Sequence, residues 1–443
     1  MSPESPSPIS RFSAWLKQSL FVKLGSIGFL VLILLLPNAM IQELIRERQY
    51  RQDEAANSVS QSWGGPQTIT GPVLSIPYTT WIEQSDGKRT GVKEVAHFLP
   101  EQLSVDGELT HQVRQKGIFD VVLFQSGLKL EGHFPKPDFD ALHINPEDVH
   151  WEQAQLSLGI SGMSGIKSAI AFNWADQELR MEPGTAHPKL LQAGVSAAVA
   201  AGPSDERYAF SIPLQLNGSH FLHVEPVGKE TSVNFRSGWP SPGFEGAFLP
   251  DQREISDGGF TASWKVLDLN RNYPQSWKNE AFNLGESAFG VRLVQPVDEY
   301  LKNERSAKYA ILVIGLTFLI YFFFEILRKF HIHPFQYFLI GVALSVFYLL
   351  LLSLSEYIGF NMAYLAATVA TIGLIAGYSS SFLKSAGLTL QLTLLLSAIY
   401  GFIFIVLQLE DYALLAGSVG IFAALAAVMY YSRKVDWYSI GEE

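Results

Sequence analysis

The sequence predicts an α-helical polytopic membrane protein, six transmembrane helices in all, with a large all-β extracytoplasmic domain inserted between helices 1 and 2. Three observations lead there. Apolar residues make up 48% of the 443-residue chain and mean hydropathy is +0.16, too apolar for an ordinary acidic soluble protein. They gather in runs at residues 21–41, 308–327, 336–355, 359–378, 387–408 and 412–431, each near the ~20 residues a helix needs to cross the hydrocarbon core. Between the first and second runs the hydrophobic pattern changes to simple alternation.

Charge divides the chain at the same places. Residues 42–307 carry 23 Lys or Arg against 34 Asp or Glu, a net of −11, while the remainder nets +1. So acidic a block argues against nucleic acid as a partner and against docking on anionic lipid by charge. The short loops orient the bundle through their retained cations: Arg328 and Lys329 follow the second span, Lys384 the fourth, and Arg433 with Lys434 the sixth. The intervening turns carry Glu356 and, further on, Glu410 with Asp411, without Lys or Arg. Both termini are therefore expected in the cytoplasm and the large domain in the periplasm. The first span is expected to stay as an anchor, because its apolar run is long for a signal peptide and PNAMIQEL offers no small-x-small cleavage site. The chain has no cysteine, which removes disulfides, thiolate metal sites and a cysteine nucleophile together.

The boundaries expected from these signals are a cytoplasmic tail at 1–20, a span at 21–41, a helical stalk at 42–66, the β domain at 67–295, a second stalk at 296–307, a five-helix bundle at 308–432 and a cytoplasmic tail at 433–443. In the first stalk, Glu43 with Arg46 and Glu47 with Arg51 have helix-surface spacing, and Gly64, Gly65 and Pro66 end it. In the second, Pro296 stands at a first helical position, Glu304 and Lys308 are at i and i+4, and the pattern runs without a breaker into the second span. Pro37 removes the backbone bond to Ile33 and predicts a kink. The β domain is read from GPVLSIPYTTW, FDVVLFQSGLKLEGHF, YAFSIPLQLNG, HFLHVEPV and GFTASWKVLDL, with hairpin-like breaks at Gln125–Gly127 and Asn217–Gly218. One large sandwich or two smaller ones would accommodate them.

Catalytic signatures are sparse. The sequence contains no phosphate-binding P-loop, H-E-x-x-H helix or G-x-S-x-G elbow. Ser381 and Lys384 form an S-x-x-K, but in a cytoplasmic loop where a short chance match is the better reading. His223 and Glu225 share one face of a strand and His220 the other, which disfavours a three-ligand metal site. His331 and His333 lie beside Arg328 and Lys329, whose charge opposes a metal. No metal or cofactor is expected. Within the membrane, Lys23 and Glu356 lie near span ends, where snorkelling or interfacial pairing accounts for them. Glu325 in YFFFEIL is the candidate polar site of the membrane domain, spaced to pair with Arg328 or Lys329. The small residues of AYLAATVATIGLIAG and LLAGSVGIFAALAA predict close helix packing.

The stretch SGWPSPGFEGAFLP at 237–250 is read as a structural corner. Pro240 and Pro242 exclude a central strand, the glycines permit turns, and Trp239, Phe244 and Phe248 can anchor the loop on a β core. An exposed aromatic patch for a partner is the second reading. A catalytic elbow is the weakest, since the stretch offers Glu245 and two serines with no nearby base.

Taken in order, several stretches resemble the CreD family of bacterial cell-envelope integrity proteins. They are GPVLSIPY at 71–78, FLPEQLSVDGEL at 98–109, MEPGT at 181–185, the W-P-x-P-x-F corner with FLP at 248–250, then KYAILVIGLTF, YFFFEIL, HPFQYFLIGVALSVFYLLLLSLSEYIGF and the terminal RKVDWYS. Ala186 departs from the glycine expected after E-P-G-T, and the Pro- and Ser-rich tail at 1–10 is longer than the family's. The resemblance implies an inner-membrane protein, produced under a two-component system, that maintains the envelope and in some bacteria influences the β-lactam response; it implies no reaction. The leading expectation is a non-enzymatic protein in the lipid bilayer whose outer domain engages a periplasmic or inner-membrane protein partner. The alternative is a transporter or channel component moving a lipid, ion or envelope precursor. A third, an envelope-modifying hydrolase, needs acidic or hydroxyl groups converging from distant strands.

Overall fold

The computed structural model describes residues 20–83, 89–203, 205–278, 282–294, 299–328, 331–409 and 412–433, and the chain divides into two compact units, Met1–Gln52 with Val297–Glu443, and Asp53–Pro296. The tail at 1–19, Pro296, Lys329, Glu410 with Asp411, and residues 434–443 lie outside the described residues.

Six helices of the described chain are long and apolar enough to cross a membrane. The first, α1 (Leu20–Trp63), carries the predicted span and stalk as one helix of 44 residues that continues through Pro37. At 1.5 Å per residue it is about 66 Å long, twice the ~30 Å of a hydrocarbon core. Leu34, Asn38 and Ile45 form its buried stripe, recurring at helical spacing, and Leu34 lies against Gly341, where any Cβ would collide with it. The expected pairs form, Arg46 with Glu43 at 3.7 Å and Arg51 with Glu47 at 2.5 Å; being exposed, each contributes a few tenths of a kcal/mol.

The second stalk differs from expectation. Helix α2 (Glu299–Lys308) stops before α3 (Ala310–Arg328), with Tyr309 in a turn between them. The Tyr309 N–H donates to the Ser306 carbonyl at 3.0 Å, a three-residue reach that tightens the chain and ends the α-helical ladder. The remaining spans are α4 (Pro334–Ile358), α5 (Phe360–Leu383), α6 (Ala386–Gln408) and α7 (Ala413–Ser432). His333 caps α4: its Nδ1 accepts from Phe335 N at 3.2 Å while Gln336 Oε1 accepts from His333 N at 3.0 Å. The H-x-H is thus partly a helix cap. Close packing by small residues holds in α5, where Ala363 and Ala367 are fully buried, but no residue of α7 is buried, although the Phe402 ring lies over Gly420.

The other unit is two sheets on one core. The first contains β1 (Gln67–Glu83), β2 (Arg89–Phe98), β5 (Gln155–Ile160), β8 (Glu182–Pro183), β9 (Gly194–Ala198), β11 (Phe221–Glu225), β13 (Pro242–Gly246), β16 (Ser276–Lys278) and β17 (Phe289–Leu293); its order is β13-β17-β11-β1-β5-β9-β8, with β2 on β1 and β16 on β2. The second contains β3 (Gln102–Lys116), β4 (Phe119–Pro135), β6 (Ala171–Trp174), β7 (Gln177–Arg180), β10 (Arg207–Ser219), β12 (Glu230–Ser237), β14 (Gln252–Ser256) and β15 (Gly259–Leu267), in the order β14-β15-β12-β3-β4-β10-β6-β7. Alternation places Leu103, Val105 and Leu109 of β3 inside and Gln102, Asp106 and Glu108 outside.

The two predicted hairpin breaks are not breaks. Residues 125–127 lie within β4 and 217–218 within β10, paired with each other in one unbroken antiparallel ladder. Gly218 is there for packing: a Cβ would come within 2.3 Å of the Phe124 ring. The reversal between β3 and β4 is at Gly117, φ 64°, and His220, φ 61°, joins β10 of one sheet to β11 of the other. Where α1 ends, Trp63 donates from Nε1 to the Phe124 carbonyl at 3.3 Å under the Arg114 guanidinium. Gln67 is fully buried beside it; its Nε2 reaches the carbonyls of Gly64, Gly162 and Asn217 at 2.9–3.0 Å, and its Oε1 accepts from Gly162 N.

Candidate functional sites in the two units

The corner at 237–250 is built into the β core. Trp239 is buried, its indole N–H shared between the carbonyls of Ser241 at 3.1 Å and Val294 at 3.0 Å, with its ring edge-on to His111. Pro240 is exposed and outside any strand, and Pro242 starts β13, the edge strand of its sheet, where a missing N–H is tolerated. Phe244 meets Phe260 and Trp264, each at 5.8 Å, and Phe248 meets Phe289 at 5.6 Å.

Glu245 does have a nearby base, contrary to expectation. His223 Nε2 lies 3.1 Å from its carboxylate, and Arg292 grips it through two nitrogens at 2.7 and 2.9 Å. Burial alone would raise the Glu245 pKa, but the guanidinium and the histidine hold it below the usual value. Burial lowers that of His223. The three groups come from β11, β13 and β17, so only the sheet order brings them together. The outcome is a clamp on an edge strand, with all of Glu245's charge already answered.

In the helical unit, Glu325 is brought to a partner that spacing did not suggest. Its carboxylate pairs with Lys23 of α1, accepts from Ile332 N at 2.9 Å, and accepts from the Tyr337 hydroxyl at 3.3 Å. Arg328, the expected partner that falls among the described residues, is not within ion-pairing distance. Glu356 is likewise partnered, by the Tyr300 hydroxyl at 3.0 Å and Arg48 at 3.8 Å. Ser381 donates to the Tyr378 carbonyl and Lys384 sits in a left-handed turn, so the S-x-x-K is a helix end.

Two of the concavities in the β unit gather charged side chains from several strands. One is a groove of about 1210 Å³ on the outer face of the second sheet, floored by Asp106, Glu108, Lys129, Asn234 and Arg236 and bordered by edge strand β14. Its charges are cross-linked, Arg236 to Glu108 at 2.7 Å and Asn234 to Asp106 at 2.9 Å. The other is a cavity of about 520 Å³ against the first sheet, walled by Thr70, Ser161, Lys189, Leu191, Glu225 and Phe282 among others. Glu225 is 7% exposed and hydrogen-bonded by Thr70. Among the described residues no Lys or Arg ion-pairs with it, and burial pushes its carboxyl up to about 7. The sequence sets Glu225 only against His220 and His223, because the other walls of its cavity come from four separate segments.

A profile for the inner membrane protein CreD matches residues 19–438. The inner membrane protein CreD of Escherichia coli strain K12 is 34% identical over 435 residues, covering 96% of this chain and 95% of that protein. A match of this extent, running from α1 through the β unit to the last helix, shows that the chain belongs to the CreD family of inner membrane proteins.

Proposed function

We propose that this protein supports cell envelope integrity as a non-catalytic binding protein, its β unit in the periplasm and both termini in the cytoplasm. The observation that carries the binding role is the outer groove of the second sheet, which runs out to β14, a strand whose five residues are all exposed. An open edge offers unpaired backbone groups to an extended partner segment, and the charged floor beside it can discriminate among partners. The corner holds no role in this binding, because its aromatic anchors are spent on the core. The test is complementation in a strain lacking the protein, reading detergent and β-lactam resistance. Double charge reversal at Arg236 and Arg253, in a variant that inserts and melts normally, should abolish rescue. Full rescue would remove the groove from the proposal. The absence of cysteine gives a direct check on orientation: single cysteines at Lys265 and Ser381 should react with an impermeant maleimide from opposite sides of the membrane.

A second reading, a transporter or channel component, is favoured by Glu325, a carboxylate 4% exposed among apolar spans. Glu325→Gln that inserts normally and still rescues the strain would withdraw its residue-level support.

A further inference from the structure

The half-buried carboxylates of Glu94, Glu101, Glu131, Glu230 and Glu245 each have a cation or several donors, Glu245 most fully. Glu225 is different. It lies at the end of β11, behind the core residues Leu222 and Val224, and faces a cavity large enough for a small ligand. Thr70 supplies a hydrogen bond, and the nearby titratable group of the interior is Tyr273, whose hydroxyl is occupied by Ser287 and the Pro226 carbonyl. Ser161, also on the wall, uses its hydroxyl on the Pro66 carbonyl and on Thr68 N, and the Asn283 carbonyl is taken by Gly285 N. The hydroxyls of Tyr273 and Ser161 and the side-chain carbonyl of Asn283 are therefore spent elsewhere, and Thr70 is the neighbour that hydrogen-bonds the carboxylate. Lys189, exposed and on the same wall, supplies the opposite charge.

A buried carboxylate with so little compensation must take up a proton or a cation. We propose that this cavity binds a small zwitterion, its ammonium group on Glu225 and its anionic end at Lys189. Phosphoethanolamine headgroups and free amino acids share this chemistry, and the experiment separates them.

The test is calorimetric titration of the full chain in detergent micelles with glycerophosphoethanolamine and, separately, with D-alanine. Binding of the first alone identifies a lipid-derived ligand, and binding of the second alone a soluble amino acid. For whichever binds, Glu225→Gln should weaken affinity by about tenfold or more, the expected loss of a charge-assisted hydrogen bond. At pH 6 binding should release close to one proton per ligand, and at pH 8 almost none, since the cation displaces the proton that Glu225 holds below about 7. Lys189→Glu, a change at an exposed position, should weaken the zwitterion but leave ethanolamine unaffected. The proposal is overturned if neither probe binds at millimolar concentration, or if Glu225→Gln binds as tightly as the parent with no change in proton release. Ethanolamine binding as tightly as the zwitterions would overturn the role of Lys189.

Discussion

Replacing Lys23 by Met tests whether one ion pair fastens α1 to α3. The Glu325 side chain is 5% exposed and that of Lys23 28%, so removing the lysine leaves an anion in an apolar site with two neutral donors, Ile332 N and the Tyr337 hydroxyl. Breaking a buried pair from one side costs about 3–5 kcal/mol. The lower end applies, because both donors remain and the lysine is partly open to its surroundings. Glu325→Gln removes the charge but keeps an acceptor, and Lys23 can turn outward, so its cost is about 1 kcal/mol. Glu325→Leu strands Ile332 N and the tyrosine as well and should be worse than Gln. The coupling between Lys23→Met and Glu325→Gln is then about 2 kcal/mol, well above the ~0.5 kcal/mol seen between independent sites. Unfolding of the full chain in mixed micelles with increasing SDS measures all four members of the cycle. Lys23→Met as stable as the parent, with coupling under about 0.5 kcal/mol, would refute the reasoning.

Other outcomes follow from the same structure. Burial and the neighbouring His187 hold His97 down to about 4 against an ordinary 6.5, so the unfolded chain binds more protons between those values and stability falls as pH drops through that window; His97→Gln should flatten this acid limb in melts of the β unit followed by tryptophan fluorescence. Trp239→Ala should cost about 3–5 kcal/mol by emptying a buried site, whereas Trp239→Phe should cost about 1–3 kcal/mol through the carbonyls of Ser241 and Val294; equal denaturation midpoints for the two would contradict the indole bonds. Gln67→Leu should cost at least about 3 kcal/mol, since three carbonyls and one N–H lose their partner, and hydrogen exchange at Gly162 N should accelerate with it.

Much of the architecture was legible because its signals are local. Span length, alternation in β10 and β15, the Glu43–Arg46 and Glu47–Arg51 pairs and the prolines of the corner all act over a few residues, and the structure places them as their chemistry requires. The errors have a common cause. The glycines at 127 and 218 suggest turns, yet both lie inside paired strands, and Gly218 lacks a side chain because the Phe124 ring of the neighbouring strand fills that space. Glu325 was matched to residues one turn away, although its cation stands 302 positions earlier. His223 and Arg292 around Glu245, and every wall of the Glu225 cavity, depend on strand order, which alternation cannot report. Tyr309 interrupts a helical pattern with no breaker residue in it, so composition had nothing to show.

The two buried carboxylates also answer differently to deletion, and the difference separates structure from function. Glu325 is held by a cation and two donors, so neutralising it should destabilise the helical unit. Glu225 is held mainly by Thr70, and its folded pKa of about 7 lies above the ordinary 4.5. The folded chain therefore binds more protons than the unfolded chain between these values, and stability falls as pH rises through the window. Above pH 7 the ionised group costs about 3 kcal/mol at 1.36 kcal/mol per unit. Glu225→Gln should thus match the parent's stability near pH 4 and exceed it increasingly up to pH 8, measured by denaturant unfolding at each pH. A residue that weakens the fold at the pH where the protein works is poorly explained as a fold determinant. If the glutamine variant gains stability while losing the zwitterion, the carboxylate is there for its ligand; if it loses stability at pH 8, the cavity is part of the core and Glu225 has a partner that closes it.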